Sequence, residues 1–225
     1  MARLRDSAWG IGLDYAWAFS TRAGYLRARR PPEALREGTG DPVLLIPGVH
    51  EPWRYLLTIG LRLNAAGHPV HALPELGYNI APIAETAARA QRYLDDNDLR
   101  RVTIVGHSKG GLVGKHMMAL DDLEGRIDRL VAITTPFSGS DRAKYMPVPT
   151  VRQFRPGDAL LGSLAENLEV NSRITSIYPE LDQVIPNGSY LEGATNIRVP
   201  LVGHFRLLSD PRVIEAVQTA VGGVD

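Results

Sequence analysis

The sequence has no cysteine, no net charge and no long hydrophobic run. The absence of cysteine excludes disulfides, thiolate metal ligands and a cysteine nucleophile. Its 25 basic and 25 acidic residues cancel, so no overall field attracts nucleic acid or an anionic membrane. Residues 8–19 are apolar and aromatic, but Asp14 interrupts this segment, and it is too short to cross a bilayer. Because no convincing signal-cleavage site follows, we expect a cytoplasmic protein with no nucleic-acid partner and no stable membrane span.

The chain length of 225 residues suits one domain, which is preceded by an aromatic N-terminal segment. Residues 7–29 predict an amphipathic helix. It has two interpretations: transient docking on lipid, or packing of its aromatic face on the domain. We favour packing, because the helix lacks a dense lysine and arginine face. Residues 1–40 are therefore interpreted as a helical extension and linker packed on a domain at 41–225. The large apolar residues of the helix are Trp9, Leu13, Tyr15, Trp17, Phe19 and Tyr25.

Short apolar runs alternate with helical patterns along the rest of the chain. Such alternation indicates an α/β fold, a mostly parallel sheet of about six strands with helices on both faces. The turn-rich insertion at about 136–171 is either a small cap over the carboxyl edge of the sheet or a surface excursion, and its apolar content favours the cap. The predicted strands are 42–47, 70–73, 102–105, 130–134, 174–178 and 196–199. The predicted helices are 53–66, 83–97, a segment after 108, 159–169 and 211–221.

A Gly-x-Ser-x-Gly motif at 106–110 separates the third of these strands from the helix that follows it. A serine on a tight strand-to-helix turn, with glycines two residues to either side, is typical of the nucleophile elbow of α/β-hydrolases. The motif alone is weak evidence. The strand before it and the helix after it make Ser108 the candidate nucleophile.

A serine nucleophile needs a base, and the base needs an acid that orients it. Two histidines follow Ser108. His116 lies about two helical turns along the next helix and points away, whereas His204 follows the last strand, so His204 is the candidate base. For the acid we prefer Asp182, which follows a core strand and precedes His204 in the order Ser, Asp, His. The other acids considered are Asp141, Asp158, Glu180 and Glu192.

The negative oxygen that forms on an attacked carbonyl must be met by backbone N–H groups. Lys109, the residue after the nucleophile, and Val49, in the loop after the first strand, are the expected donors. We interpret the Lys109 side chain as a surface cation and His107 as a packing or hydrogen-bonding residue. The candidate pocket residues are His50, Trp53, His107, Phe137 and Phe205.

Several segments together resemble bacterial α/β-hydrolases of the serine esterase and lipase type. The sequence differs from the lipase pattern at two positions. Pro47 stands where many lipases have a histidine before the oxyanion glycine, and Phe137 stands where lipases have a histidine after Thr-Pro. Residues 1–40 lie outside the resemblance. The matching segments are Ile46-Pro-Gly-Val-His50, Val105-Gly-His-Ser-Lys-Gly-Gly111, Thr134-Thr-Pro-Phe-Ser-Gly139, Asp182-Gln-Val-Ile-Pro186 and Gly203-His-Phe205.

The resemblance implies hydrolysis of small carboxylic esters with an apolar acyl part, through an acyl-enzyme on Ser108 and without cofactor or metal. Two alternatives stay open. The same triad could hydrolyse thioesters or transfer acyl groups, or the fold could serve as a non-catalytic binding protein. Retention of a serine, an acid and a histidine in the expected order argues against the last of these.

Overall fold

The computed structural model describes residues 2–25 and 31–222, and at its centre lies a six-stranded sheet. All strand pairings are parallel, and the order across the sheet is β2-β1-β3-β4-β5-β6. The predicted parallel sheet of about six strands is confirmed. The strands are β1 (Val43–Ile46), β2 (Val70–Ala72), β3 (Val102–His107), β4 (Ile127–Ile133), β5 (Ile174–Leu181) and β6 (Thr195–Val202).

Helices cover both faces of the sheet and create two hydrophobic cores. On one face Leu94 and Leu112 pack with Ile104 of β3, and on the other Ile59 and Val217 pack with Val105. Successive residues of β3 therefore serve opposite cores, which explains why the strand is a continuous apolar run. The helices are α1 (Ala2–Tyr25), α2 (Leu57–Ala65), α3 (Ile83–Asp96), α4 (Lys109–His116), α5 (Ala159–Glu166) and α6 (Pro211–Gly222).

Two predicted helices differ in detail from the observed ones. The segment predicted as one helix over 53–66 starts as a 3₁₀ turn, Trp53–Leu56, in which the Tyr55 N–H bonds to the Pro52 carbonyl, before α2 begins. The helix after Ser108 passes into a π-helical turn, Met117–Asp121, closed by a bond from the Asp122 N–H to the Met117 carbonyl. Both differences are local changes of hydrogen-bond spacing at a helix end.

Helix α1 packs against the domain mainly through a different face from the one expected. The buried positions are Gly10, Asp14 and Ala18, which recur every four residues and so share one side of the helix. Trp9 and Phe19, at 72% exposure each, point outwards. The expected aromatic packing is confirmed only in part: Trp17 packs against Tyr55 and Tyr15 against Phe205, and the closest approach of α1 to the domain is made by its small and polar residues. Residues 26–29 of the predicted helix and the Tyr25 side chain lie outside the described residues.

The insertion at 136–171 contains two 3₁₀ turns, Asp141–Lys144 and Pro149–Phe154, followed by α5. The Ser140 N–H donates to the Phe154 carbonyl over 2.7 Å, which ties the two turns together. Phe154 and Leu161 are buried in the same core as α3 and α4. Across residues 2–25 and 31–222, no helix combines the length and apolar character that a membrane crossing requires.

Candidate active site

Ser108 lies alone between two regular elements, with β3 ending at His107 and α4 beginning at Lys109. Its φ of 51° and ψ of −116° are unfavourable for a residue with a side chain, and its N–H donates to the Ile133 carbonyl of β4 over 2.8 Å. A Cβ at Gly106 would lie 2.5 Å from the Gly110 carbonyl carbon, so the motif glycines let strand and helix approach closely. The strained turn presents the serine hydroxyl at the carboxyl end of the sheet.

Asp182 and His204 form a buried pair at the ends of two neighbouring strands. Asp182 follows β5 directly, His204 comes just after β6, and the Asp182 Oδ2 to His204 Nδ1 distance is 2.7 Å. The Asp182 Oδ1 also accepts the Val184 N–H at 2.7 Å and the Ile185 N–H at 2.9 Å. The contact leaves Nε2 of His204 as the nitrogen available to move a proton.

The two groups shift one another's pKa values. Burial disfavours the charged imidazole, but the charge and hydrogen bond of Asp182 outweigh burial and raise the pKa of His204. Burial likewise works against the Asp182 carboxylate, yet the charge and hydrogen bond of His204, with the two backbone N–H groups, lower the pKa of Asp182.

The other acids considered for this role lie elsewhere. Asp141 contacts Lys144 and Asn187 on the surface, and Asp158 caps α5 by accepting the Leu160 and Leu161 N–H groups. Glu180 and Glu192 are exposed.

His107 connects the nucleophile turn to the loops on either side of it. Its Nδ1 lies 2.7 Å from the Glu51 Oε2, and its Nε2 donates to the His204 carbonyl over 2.9 Å. The same Glu51 oxygen accepts the Gly48 N–H at 2.8 Å. All of these side chains are buried. His107 therefore occupies the hydrogen-bonding role expected for it, behind the site, and brings the His204 loop beside Ser108.

Asp14 of α1 holds the loop that carries His204. Its carboxylate accepts the N–H groups of His204, Phe205 and Arg206 over 3.0, 2.8 and 2.7 Å. It also accepts the Gln183 Nε2 at 2.6 Å, in the loop that carries Asp182. A fully buried carboxylate is costly unless donors surround it, and here four donors do. One residue of the N-terminal helix thus joins both loops.

Val49 and Ser108 line the same cavity, and Lys109 opens α4. The first N–H groups of a helix lack partners within that helix, so the Lys109 N–H is free of intrahelical bonding. The Lys109 side chain is buried, not a surface cation as expected, because Asn79, Ala81 and Thr86 accept its ammonium. It anchors the loop before α3 to the start of α4.

A cavity of ≈ 510 Å³ lies over Ser108, between α1 and the insertion. His50 and Phe205 line it as expected, and His50 contacts Thr150 of the insertion at 2.9 Å. Trp53 is buried beneath the site and lines no part of this cavity, and Phe137 lines a different one. The remaining walls are mainly apolar: Tyr15, Val49, Pro136, Ala143, Tyr145, Met146, Val151, Phe154, Val184 and Ile185.

Glu51, His107 and His204 are the described residues whose ligand atoms lie close enough to hold a metal ion, within 4.8 Å of one another. In the structure those atoms serve protein contacts instead. Both ring nitrogens of His107 and the Nδ1 of His204 have partners, and Glu51 accepts from Gly48. The cluster is therefore built as a hydrogen-bonded support.

Solved structures with the same architecture have low sequence identity to the chain. An extracellular α/β-hydrolase from a Paenibacillus species is 17% identical with a TM-score of 0.59, over 83% of this chain and 100% of that one. A putative non-heme bromoperoxidase from Mycobacterium tuberculosis is 16% identical with a TM-score of 0.59, over 82% and 91%. The chain has the α/β-hydrolase fold.

A family model described as a PGAP1-like alpha/beta domain matches residues 83–145 of the chain, the part from α3 to the start of the insertion. A hydrolase-fold protein from Burkholderia ambifaria is 17% identical with a TM-score of 0.57, over 82% of this chain and 91% of that one. These relationships establish the fold, and the chemistry has to be argued from the residues.

Sequence reasoning missed Asp14 and Glu51. Asp14 was taken only as an interruption of an apolar segment, and a buried acid in an otherwise aromatic helix was the available signal. Glu51 follows the predicted oxyanion loop directly, but no spacing rule connects it to His107, 56 positions along the chain.

Proposed function

We propose that the protein is a serine hydrolase that cleaves carboxylic esters with an apolar acyl part. The single observation that carries this proposal is the buried Asp182–His204 pair, whose loop bonds to His107 next to the strained Ser108, which itself lines a mainly apolar cavity. A structural ion pair would need neither the strained serine turn nor the cavity that Ser108 lines. Cytosolic location and transient lipid docking stay predictions.

In the proposed reaction His204 takes the Ser108 proton while the serine oxygen attacks the ester carbonyl. The backbone N–H groups of Val49 and Lys109 donate to the developing oxyanion. His204, now protonated, gives its proton to the departing alcohol, leaving an acyl-enzyme. A water activated by the same histidine then releases the carboxylic acid. Asp182 keeps the imidazole in the required tautomer and stabilises its charged form.

The proposal is tested with p-nitrophenyl esters and the variants Ser108→Ala and Ser138→Ala. Ser138 is exposed on the insertion and outside the cavity over Ser108, so it is a matched control for loss of a hydroxyl. Loss of Ser108 is expected to lower kcat by about 10⁴-fold or more, as in other serine triads. The Ser138→Ala variant should keep full activity. Equal activity in both variants would contradict the assignment of Ser108.

Thioester hydrolysis and acyl transfer use the same groups and differ in leaving group or acceptor. Comparing hydrolysis of matched oxygen and thiol esters, with and without an added alcohol acceptor, separates them. If thiol esters are hydrolysed faster than oxygen esters, or if the acyl group passes to the added alcohol rather than to water, the protein is a thioesterase or an acyltransferase. The assignment of the triad would stay the same.

A further inference from the structure

Lys115 is a buried amine with no hydrogen-bond partner in residues 2–25 and 31–222. It lies on α4 and is 1% exposed. Its Nζ lies 6.0 Å from the centroid of the Phe137 ring, its one contact with a charge-attracting group. Lys109, six positions earlier on the same helix, is equally buried but has acceptors from three residues. The two lysines are therefore in different situations, and only Lys109 has an evident structural role.

A second cavity, of ≈ 270 Å³, lies beside Lys115. Its walls are mostly apolar, from Leu112 of α4, Phe137 after β4, and Leu164 and Leu168 at α5. It reaches the surface where the exposed Leu168 and Tyr190 meet. It shares no lining residue with the cavity over Ser108, so it is a separate site.

A second unpaired polar group lines this cavity. The side chain of Asn171 is buried and its Nδ2 donates to the Glu192 carbonyl over 2.8 Å, while its Oδ1 has no partner. Buried polar atoms in folded proteins nearly always have partners, because leaving one unpaired costs about 1–3 kcal/mol. A buried lysine with no hydrogen-bond or carboxylate partner among the described residues thus lines a small, mostly apolar cavity, together with a residue whose amide oxygen is unpaired.

We propose that this second cavity is a binding site for a small monocarboxylate with an apolar body, whose carboxylate pairs with the Lys115 ammonium. A single negative charge balances the single buried cation. A dianion such as phosphate would leave an uncompensated charge among apolar walls. The volume suits only a small body, since drug-sized ligands occupy cavities of roughly 300–1,000 Å³.

Burial alone lowers the pKa of Lys115 to about 8. The amine therefore stays mostly protonated at neutral pH, as the pairing requires. Glu192 also lines the second cavity, but its side chain is exposed to solvent.

Hexanoate is the probe, with 1-hexanol as its uncharged counterpart, and the readout is the set of backbone amide shifts in ¹⁵N NMR spectra. Hexanoate is expected to shift the amides of Leu112, Leu164 and Asn171. Lys115→Met should weaken this binding by about tenfold or more, since a charge-assisted bond is lost. Lys144→Met, which removes an exposed lysine from the insertion, should leave it unchanged.

Leu164→Trp provides a second test, because it fills the cavity and keeps Lys115. This variant should also lose the shifts. The proposal is overturned if Lys115→Met binds hexanoate as tightly as the unchanged protein, if 1-hexanol binds equally well, or if hexanoate shifts only amides around the cavity over Ser108. None of these measurements depends on ester hydrolysis, so the second site stands or fails independently of the proposed function.

Discussion

At the scale of single residues, the reacting group with the most strongly determined environment is His204. Its Nδ1 is held by Asp182, its carbonyl by His107 and its N–H by Asp14. The Asp182 contact orients the ring, the two backbone contacts hold the loop that carries it, and Nε2 has no hydrogen-bond partner in the described part of the chain. Precise orientation is what converts an imidazole into an effective base for a neighbouring hydroxyl.

The pH dependence of ester hydrolysis should report the state of His204. Only the neutral imidazole accepts the Ser108 proton, and Asp182 raises the pKa of His204 above its usual value of 6.5. We therefore expect kcat/KM to be constant at high pH and to fall as pH drops through a value above about 6.5.

The Asp182→Asn variant tests whether the pH dependence of the rate arises from His204. It removes the charge that raises the pKa, so the inflection should move to lower pH, and the plateau should fall by about 10⁴-fold because the imidazole loses its tautomer control. Asp141→Asn, on the surface of the insertion, is the control and should change neither. An inflection that stays in place in Asp182→Asn would show that another group controls the rate.

At the scale of elements, helix α1 contributes to the site through Asp14. The helix precedes every strand, yet the buried carboxylate of Asp14 receives N–H groups from the loops after β5 and β6. A Cβ at Gly203, whose φ is 131°, would lie 2.5 Å from the Asp14 Oδ1, so the loop conformation and the carboxylate fit one another. We infer that Asp14 is a positioning residue for the base.

Asp14→Ala is expected to lower kcat by about 10²-fold, the usual effect of displacing a catalytic group by roughly 1 Å. The pH at which kcat/KM is half-maximal should move only slightly, to lower pH, because Asp182 still pairs with His204 and the charge of Asp14 is a smaller cause of the raised pKa of His204. Ser20→Ala, which removes an exposed hydroxyl from the same helix, is the control. Steady-state kinetics with a parallel thermal unfolding curve would check this. Wild-type kcat in a folded Asp14→Ala variant would contradict a positioning role.

The candidate catalytic residues at strand ends could be predicted from the sequence, whereas the residues that hold their loops in place could not. The Gly-x-Ser-x-Gly motif indicates Ser108, and Asp182 and His204 are predicted because each follows a strand in the order Ser, Asp, His; parallel strands bring their carboxyl ends to one edge. The bonds from Asp14 to the His204 loop span 190 positions and follow no motif. The Lys109 side chain was wrongly predicted to lie on the surface for a related reason, since Asn79 and Ala81, two of its three accepting residues, lie in the irregular loop before α3, which no periodic pattern describes.

At the scale of the whole molecule, the cavity over Ser108 is assembled from three parts of the chain. The sheet supplies the reacting groups, α1 supplies Tyr15, and the insertion supplies a wall that includes Tyr145 and Phe154. Its ≈ 510 Å³ are enough for a short or medium acyl chain. Substrate preference should therefore depend on the insertion and on α1 together.

Across a series of p-nitrophenyl esters, kcat/KM should be higher for butanoate and hexanoate than for palmitate. Met146→Trp should narrow the cavity and shift the preference further towards butanoate, while Leu123→Ser, at an exposed position away from the site, should leave the series unchanged. A preference for palmitate that Met146→Trp does not alter would place acyl binding outside this cavity.

Covalent labelling by a fluorophosphonate tests the central claim most directly, because the reagent reacts with a serine only when a base activates it. After brief exposure of the intact protein, peptide mass mapping should find one modified serine, Ser108, and His204→Ala should abolish the adduct while keeping the fold. A protein that stays unmodified at Ser108, or that is labelled equally after His204→Ala, would contradict an activated nucleophile at this turn.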